Sequence, residues 1–163
     1  MERNLMSRRW AAGALVAGLA LVAAGNAAAA SGFSGAKPTK AHYGAIFQID
    51  AGSEGAIKKT LTNIENLLHD PRLKGKVKIE LIANSKGFAV YVKGNGFEKR
   101  LRELQKDGVI LAQCSNTLHE LHVDRNDLYP FISVVPSGMG EITIREAQGW
   151  AYIHPTPPSP NNL

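Results

Sequence analysis

The sequence predicts an α/β domain built on a five-stranded parallel sheet with helices on both faces. Short apolar runs begin near residues 43, 77, 109, 131 and 150, and segments of helical periodicity lie between them. Strands that alternate with helices require right-handed crossovers and therefore a parallel sheet. Val77 to Ala83 starts alternating and ends wholly apolar, as a strand entering a sheet covered on both sides does. Three of the apolar runs are followed by helix-capping residues, Ser53, Ser115 or Asn116, and Ser137, which places a strand-to-helix turn after each of those three.

Taken in order, Tyr43 to Ile49 is the first strand, and Asp50-Ala51-Gly52-Ser53 is a turn with Ser53 as N-cap. Ile57, Leu61, Ile64 and Leu68 then recur at helical spacing and form one apolar stripe. His69-Asp70-Pro71 ends that helix, because proline disfavours helix at the residue before it. After the second strand, Phe88 to Val92 reads as a helical turn. Asn95 to Lys106 reads as a helix capped by Asn95, with Glu98 closing a capping box and Phe97, Leu101 and Leu104 facing inward. Gly108 stops it and the third strand follows to Cys114. A short helix over 116–122, an irregular crossing and a strand over 131–135 come next. Ser137 caps a further helix whose inner face is Met139, Ile142 and Ala147, with Glu141, Arg145 and Glu146 on a solvated face. Trp150 to Ile153 is the last strand. Five strands in this order, helices on both faces, make a flavodoxin-like three-layer sandwich spanning residues 43–155, without internal repeats.

The ends read differently. Arg3, Arg8 and Arg9, the uncharged run Ala11 to Ala24 and the small residues Ala27 to Ala30 have the three-part layout of a secretory signal peptide over 1–30. That apolar run is shorter than the roughly 20 residues a spanning helix needs, so no stable membrane anchor is expected after cleavage. Ser7-Arg8-Arg9-Trp10 leaves twin-arginine export open beside the general secretory route. Residues 31–42 form a polar lead-in, and 156–163, rich in proline and asparagine, a disordered tail. Cleavage lowers the net charge of +5 by two, and the basic residues are scattered among acidic ones, which excludes nucleic acid as a partner.

Cys114 is the only cysteine, so an internal disulfide is impossible and dithiol exchange within one chain is excluded. Free cysteine is commonly a small buried hydrophobe. Here, however, it ends a strand where a helix begins, and such a place favours the reactive thiolate. Functional groups in an open parallel sheet collect at the carboxyl ends of strands. Those ends carry Asp50, Asn84, Cys114 with Ser115 and Asn116, Ser137 with Gly138, and His154. A phosphate-bearing cofactor is not expected, because Asp50 and Glu54 place two carboxylates in the first turn where a phosphate loop belongs. His119 and His122 lie on the helix that the thiol would begin and point away from its start, so neither a thiol–histidine dyad nor a metal site is expected.

Gly108-Val109 leading to Cys114-Ser115-Asn116-Thr117, then Asp127-Leu128, Val134-Val135-Pro136-Ser137-Gly138 and Gln148-Gly149-Trp150-Ala151-Tyr152-Ile153-His154-Pro155, form a spaced series. This series resembles the DsrE/DsrF-like family, above all its small exported members, from about Tyr43 to Pro155. The resemblance implies a DsrEFH-like sandwich assembling into homotrimers or hexamers. It also implies a single cysteine, matched by Cys114, that relays sulfur as a persulfide between donor and acceptor proteins. Two features depart from the family's sulfur carriers. Those work in the cytoplasm, and Cys114 here is followed by Ser-Asn-Thr rather than small apolar residues.

The combined expectation is a periplasmic, homo-oligomeric protein that carries or binds sulfur species on Cys114 without cofactor or metal. The backbone N–H groups of Ser115 and Asn116 would stabilise the thiolate. Thr117, Asn84, Ser137 and Gly138 would complete the pocket, and a neighbouring subunit the rest of its wall. The alternative is a non-catalytic oligomeric binding or scaffold module with an inert, buried Cys114.

Overall fold

In β1 (Tyr43–Ile49) successive side chains enter two different cores. Ala45, Phe47 and Ile49 join the larger cluster, whereas Ile46 joins a small one with Ile82, Ala112 and Ile142. A strand covered on both faces needs apolar residues at both parities, which is why its apolar run is continuous. The computed structural model describes residues 32–155; the expected signal segment and tail lie outside them. Residues 32–37 hold no helix or strand, and the domain described below lies within Pro38–Leu163. The expected lead-in is fastened near its end, where Tyr43 Oη accepts from the N–H groups of Thr39 and Lys40 at 2.6 and 2.9 Å.

The remaining elements are α1 (Glu54–His69), β2 (Val77–Ala83), a 3-10 segment (Ser85–Tyr91), α2 (Glu98–Lys106), β3 (Ile110–Cys114), α3 (Ser115–Glu120), a short 3-10 turn (Arg125–Asp127), β4 (Ser133–Val135), α4 (Gly138–Ala147) and β5 (Ala151–Ile153). All strand pairs are parallel, in the order β4-β3-β2-β1-β5. The fold is thus the expected α/β sandwich. From β1 to β4 the chain steps in one direction, and right-handed crossovers put α1, α2 and α3 on one face. Ile57, Leu61 and Ile64 of α1, Leu101 and Leu104 of α2 and Leu118 of α3 fill that core. The step from β4 back across the sheet to β5 reverses direction, so α4 lies alone on the other face, with Ile142 inward.

Ser53 and Ser137 act as N-caps, accepting from Ala56 N–H and Gly140 N–H, both at 3.2 Å. The 3-10 segment bears out the helical turn expected around Phe88 to Val92.

Elsewhere the structure corrects the sequence reading. The Asn95–Glu98 capping box does not form, because Gly96 takes a positive φ and delays the helix to Glu98. Asn95 instead ties the loop, donating to the carbonyls of Ala89 and Val90 and accepting from Phe97 N–H. Glu98 pairs with Arg102. Strand β4 begins two residues later than expected, because Arg125 gathers the carbonyls of Tyr129 and Ile132. Helix α3 ends at Glu120 rather than His122, which stands beyond it at φ 53°.

The largest correction concerns α4. Met139 and Ala147, expected inside, are exposed, and Arg145, expected in solvent, points at the sheet. There it meets Glu80, a β2 side chain only 1% exposed, with Nε and Nη2 both 2.8 Å from Oε2. It also pairs with Glu141 at 3.0 Å and lies 4.4 Å from the Trp150 ring centroid. Burial pushes the Glu80 carboxyl up, Arg145 pulls it back, and Glu141 adds to the rise. Helix α4 is therefore fastened by Ile142 and one buried ion pair rather than by an apolar stripe.

Candidate functional site

Where neighbouring strands send their connections to opposite faces, their carboxyl ends leave a crevice. Here the chain leaves β3 towards one face and β4 towards the other, so the switch lies between Cys114 and Ser137. A cavity of about 150 Å³ opens there, lined by Asn84, Ser85, Cys114, Asn116, Thr117, Glu120, Ser137 and Met139.

Cys114 is the residue just before α3 and is 5% exposed. Cys114 itself holds the N-cap position, so neither Ser115 nor Asn116 is the cap and Ser115 lies inside the helix. Burial raises the thiol's pKa, but four donors outweigh it and leave it lowered: Gly138 N–H, Thr117 N–H, Thr117 O–H and Asn116 N–H. The backbone donors therefore differ from the expected pair, since Ser115 is not among them. Gly138 is the first residue of α4, so the starts of two helices meet at one sulfur.

Each donor has a local cause. Thr117 Oγ1 accepts from Ser85 N–H at 2.9 Å, which leaves its own proton for the sulfur. Ser85 reaches that position with φ 48°, the left-handed region that a non-glycine residue enters only under constraint. Gly138 approaches closely because it lacks a Cβ, which would stand 3.3 Å from Cys114 Cβ and 3.5 Å from Asn84 Cβ. Asn84 is held from the other side, its Oδ1 accepting from Gln48 Nε2 at 2.8 Å.

Of the residues selected from sequence, the structure brings Asn84, Cys114, Asn116, Thr117, Ser137 and Gly138 together and leaves Ser115 off the cavity wall. It adds Ser85, Glu120 and Met139 to the wall. The signal for Gln48 was a lone amide inside an apolar strand. Asp50 and His154 meet each other instead, at 3.0 Å across the ends of β1 and β5. Among the described residues, no group of three or more His, Cys, Asp or Glu is placed to hold a metal ion, and no helix is long and apolar enough to cross a membrane.

Comparison with solved structures gives a protein of unknown function, MTH1491, from Methanobacterium thermoautotrophicum. It is 36% identical, the match covering 69% of this chain and 99% of the archaeal one, with a TM-score of 0.64. The chain belongs to the family of that archaeal protein. The archaeal relative shares the α/β fold, and its description assigns no activity. No family model matches the chain, and no curated protein does. The resemblance to DsrE/DsrF-like proteins therefore rests on the motifs alone.

Proposed function

We propose that this protein is a single-cysteine sulfur carrier of DsrE-like type, holding sulfur on Cys114 as a persulfide. The observation that carries the reading is the convergence of four donors on one sulfur at the switch point of the sheet. Donors fixed around a thiol favour its anion, which is the nucleophile.

The chemistry needs no other group. The Cys114 thiolate attacks the outer sulfur of a donor persulfide or polysulfide, that S–S bond breaks, and the donor leaves as a thiolate. Cys114 then carries the new S–S bond with the negative charge on its outer sulfur. An acceptor thiolate attacks that sulfur and Cys114 departs as a thiolate, so one sulfur has moved with no net oxidation or reduction. The donors that favour the thiolate also suit it as a leaving group. The absence of a histidine from the cavity wall fits, because exchange between thiolates needs no general base.

The same reading includes a homo-oligomer and export to the periplasm. In support of the first, Ile110, Met139, Ile144 and Tyr152 leave apolar surface open on and around the thinly covered α4 face. In support of the second stands the basic–apolar–small layout of residues 1–30. One observation favours the alternative of a binding module with an inert cysteine, namely the 5% exposure of Cys114.

Mass spectrometry after incubation with inorganic polysulfide separates the two. The carrier gains one sulfur on Cys114, loses it to an added thiol, and gains none as Cys114→Ser. A wild-type protein that stays unmodified refutes the carrier and leaves the binding module.

A further inference from the structure

A chain of hydrogen-bonding side chains runs from the far edge of the sheet to the Cys114 cavity. Tyr152 of β5 meets Gln48 of β1 through its hydroxyl and Gln48 Oε1. Gln48, 8% exposed, passes the chain on, its Nε2 donating to Asn84 Oδ1 at 2.8 Å. Asn84 Nδ2 in turn donates to Ser85 Oγ at 3.2 Å, and both residues line the cavity. Each link fixes the polarity of the next. With Gln48 presenting its N–H2 to Asn84, its oxygen faces Tyr152, so the phenol must donate. With Asn84 Oδ1 taken, what that carboxamide has left for the cavity is its second N–H.

We propose that Tyr152 and Gln48 are positioning residues that hold Asn84 with its N–H2 turned into the cavity, so that the cavity selects an acceptor-only anion, the deprotonated outer sulfur of a persulfide. The inference rests on the sulfur-carrier reading for the identity of that anion. Burial, with the charges of Asp50 and Glu146 adding to it, raises the Tyr152 phenol and keeps its proton in place at neutral pH. With its proton in place the phenol can donate to Gln48 Oε1, which leaves Gln48 Nε2 for Asn84 Oδ1.

The test is a double-mutant cycle on the rate at which Cys114 gains sulfur from inorganic polysulfide at pH 7, using Tyr152→Phe, Asn84→Ala and both together. Tyr152→Phe keeps the ring and removes only the donor. It should slow sulfur uptake roughly fivefold, the effect of about one hydrogen bond, and should have no further effect once Asn84 is alanine. An equal effect in both backgrounds, or none in either, overturns the inference. Should wild-type Cys114 gain no sulfur, the sulfur-carrier reading fails, and the chain is then judged by the ¹⁵N side-chain amide resonances of Asn84. Tyr152→Phe and Gln48→Met shift them if the chain holds. Resonances unmoved in both variants overturn it.

Discussion

Replacing Arg145 by methionine tests how α4 is fastened, and through α4 how the thiol's niche is built. The substitution keeps much of the side chain's length and its contact with Trp150 but removes both hydrogen bonds to Glu80. Breaking a buried ion pair by deleting one partner costs about 3–5 kcal/mol, because the remaining charge is left in a low-dielectric site. Arg145 is 22% exposed while Glu80 is 1% exposed, so the loss should fall near the lower end, about 3 kcal/mol at pH 8. The pH dependence follows from the carboxyl. Its folded pKa is already raised by burial, and losing Arg145 removes an influence that lowers it. A carboxyl with a raised folded pKa contributes stability below its unfolded pKa and loses it as pH rises through the folded value. The variant's deficit should therefore be smaller at pH 5 than at pH 8. Urea unfolding at the two pH values measures it. A deficit below about 1 kcal/mol, or one that does not change with pH, refutes the reasoning.

Three further outcomes are expected. Thr117→Val removes one donor to Cys114 and the acceptor for Ser85 N–H. It should slow alkylation at pH 7 by roughly threefold to tenfold and cost about 1 kcal/mol in denaturant unfolding. Gly138→Ala places a Cβ 3.3 Å from Cys114 Cβ, and should raise the thiol's apparent pKa by pushing the Gly138 N–H away; a pH–rate profile identical to wild type contradicts this. Gly87→Ala is the severe case, because its Cβ would stand 2.0 Å from the Ile49 carbonyl oxygen where β1 ends. Thermal unfolding should show a loss of several kcal/mol, about 3 or more, or no folded protein at all.

Much of the fold was legible because hydrophobic periodicity reports burial against one face. The stripe Ile57, Leu61, Ile64 of α1 and the continuous run of β2 are such cases. Helix α4 was misread for the same reason. Its inward face carries an arginine whose partner Glu80 lies 65 residues away, and no local pattern reveals that pair. The caps at Ser53 and Ser137 were legible because a cap is local, whereas the Asn95 cap failed on the single positive φ of Gly96. For the site, sequence supplied the strand ends but not their order, so the meeting of β3 and β4 at the switch point had to come from the sheet. Ser85 and Gln48 reach the site through contacts with Thr117, 32 residues on, and Asn84, 36 residues on.

The central claim is that Cys114 is held as a thiolate ready to carry sulfur. The direct measurement is the rate of Cys114 alkylation against pH. Donors from Gly138, Thr117 and Asn116 predict an apparent pKa below the free thiol's value of about 8.5. A profile that rises only at or above about 8.5 would contradict the claim.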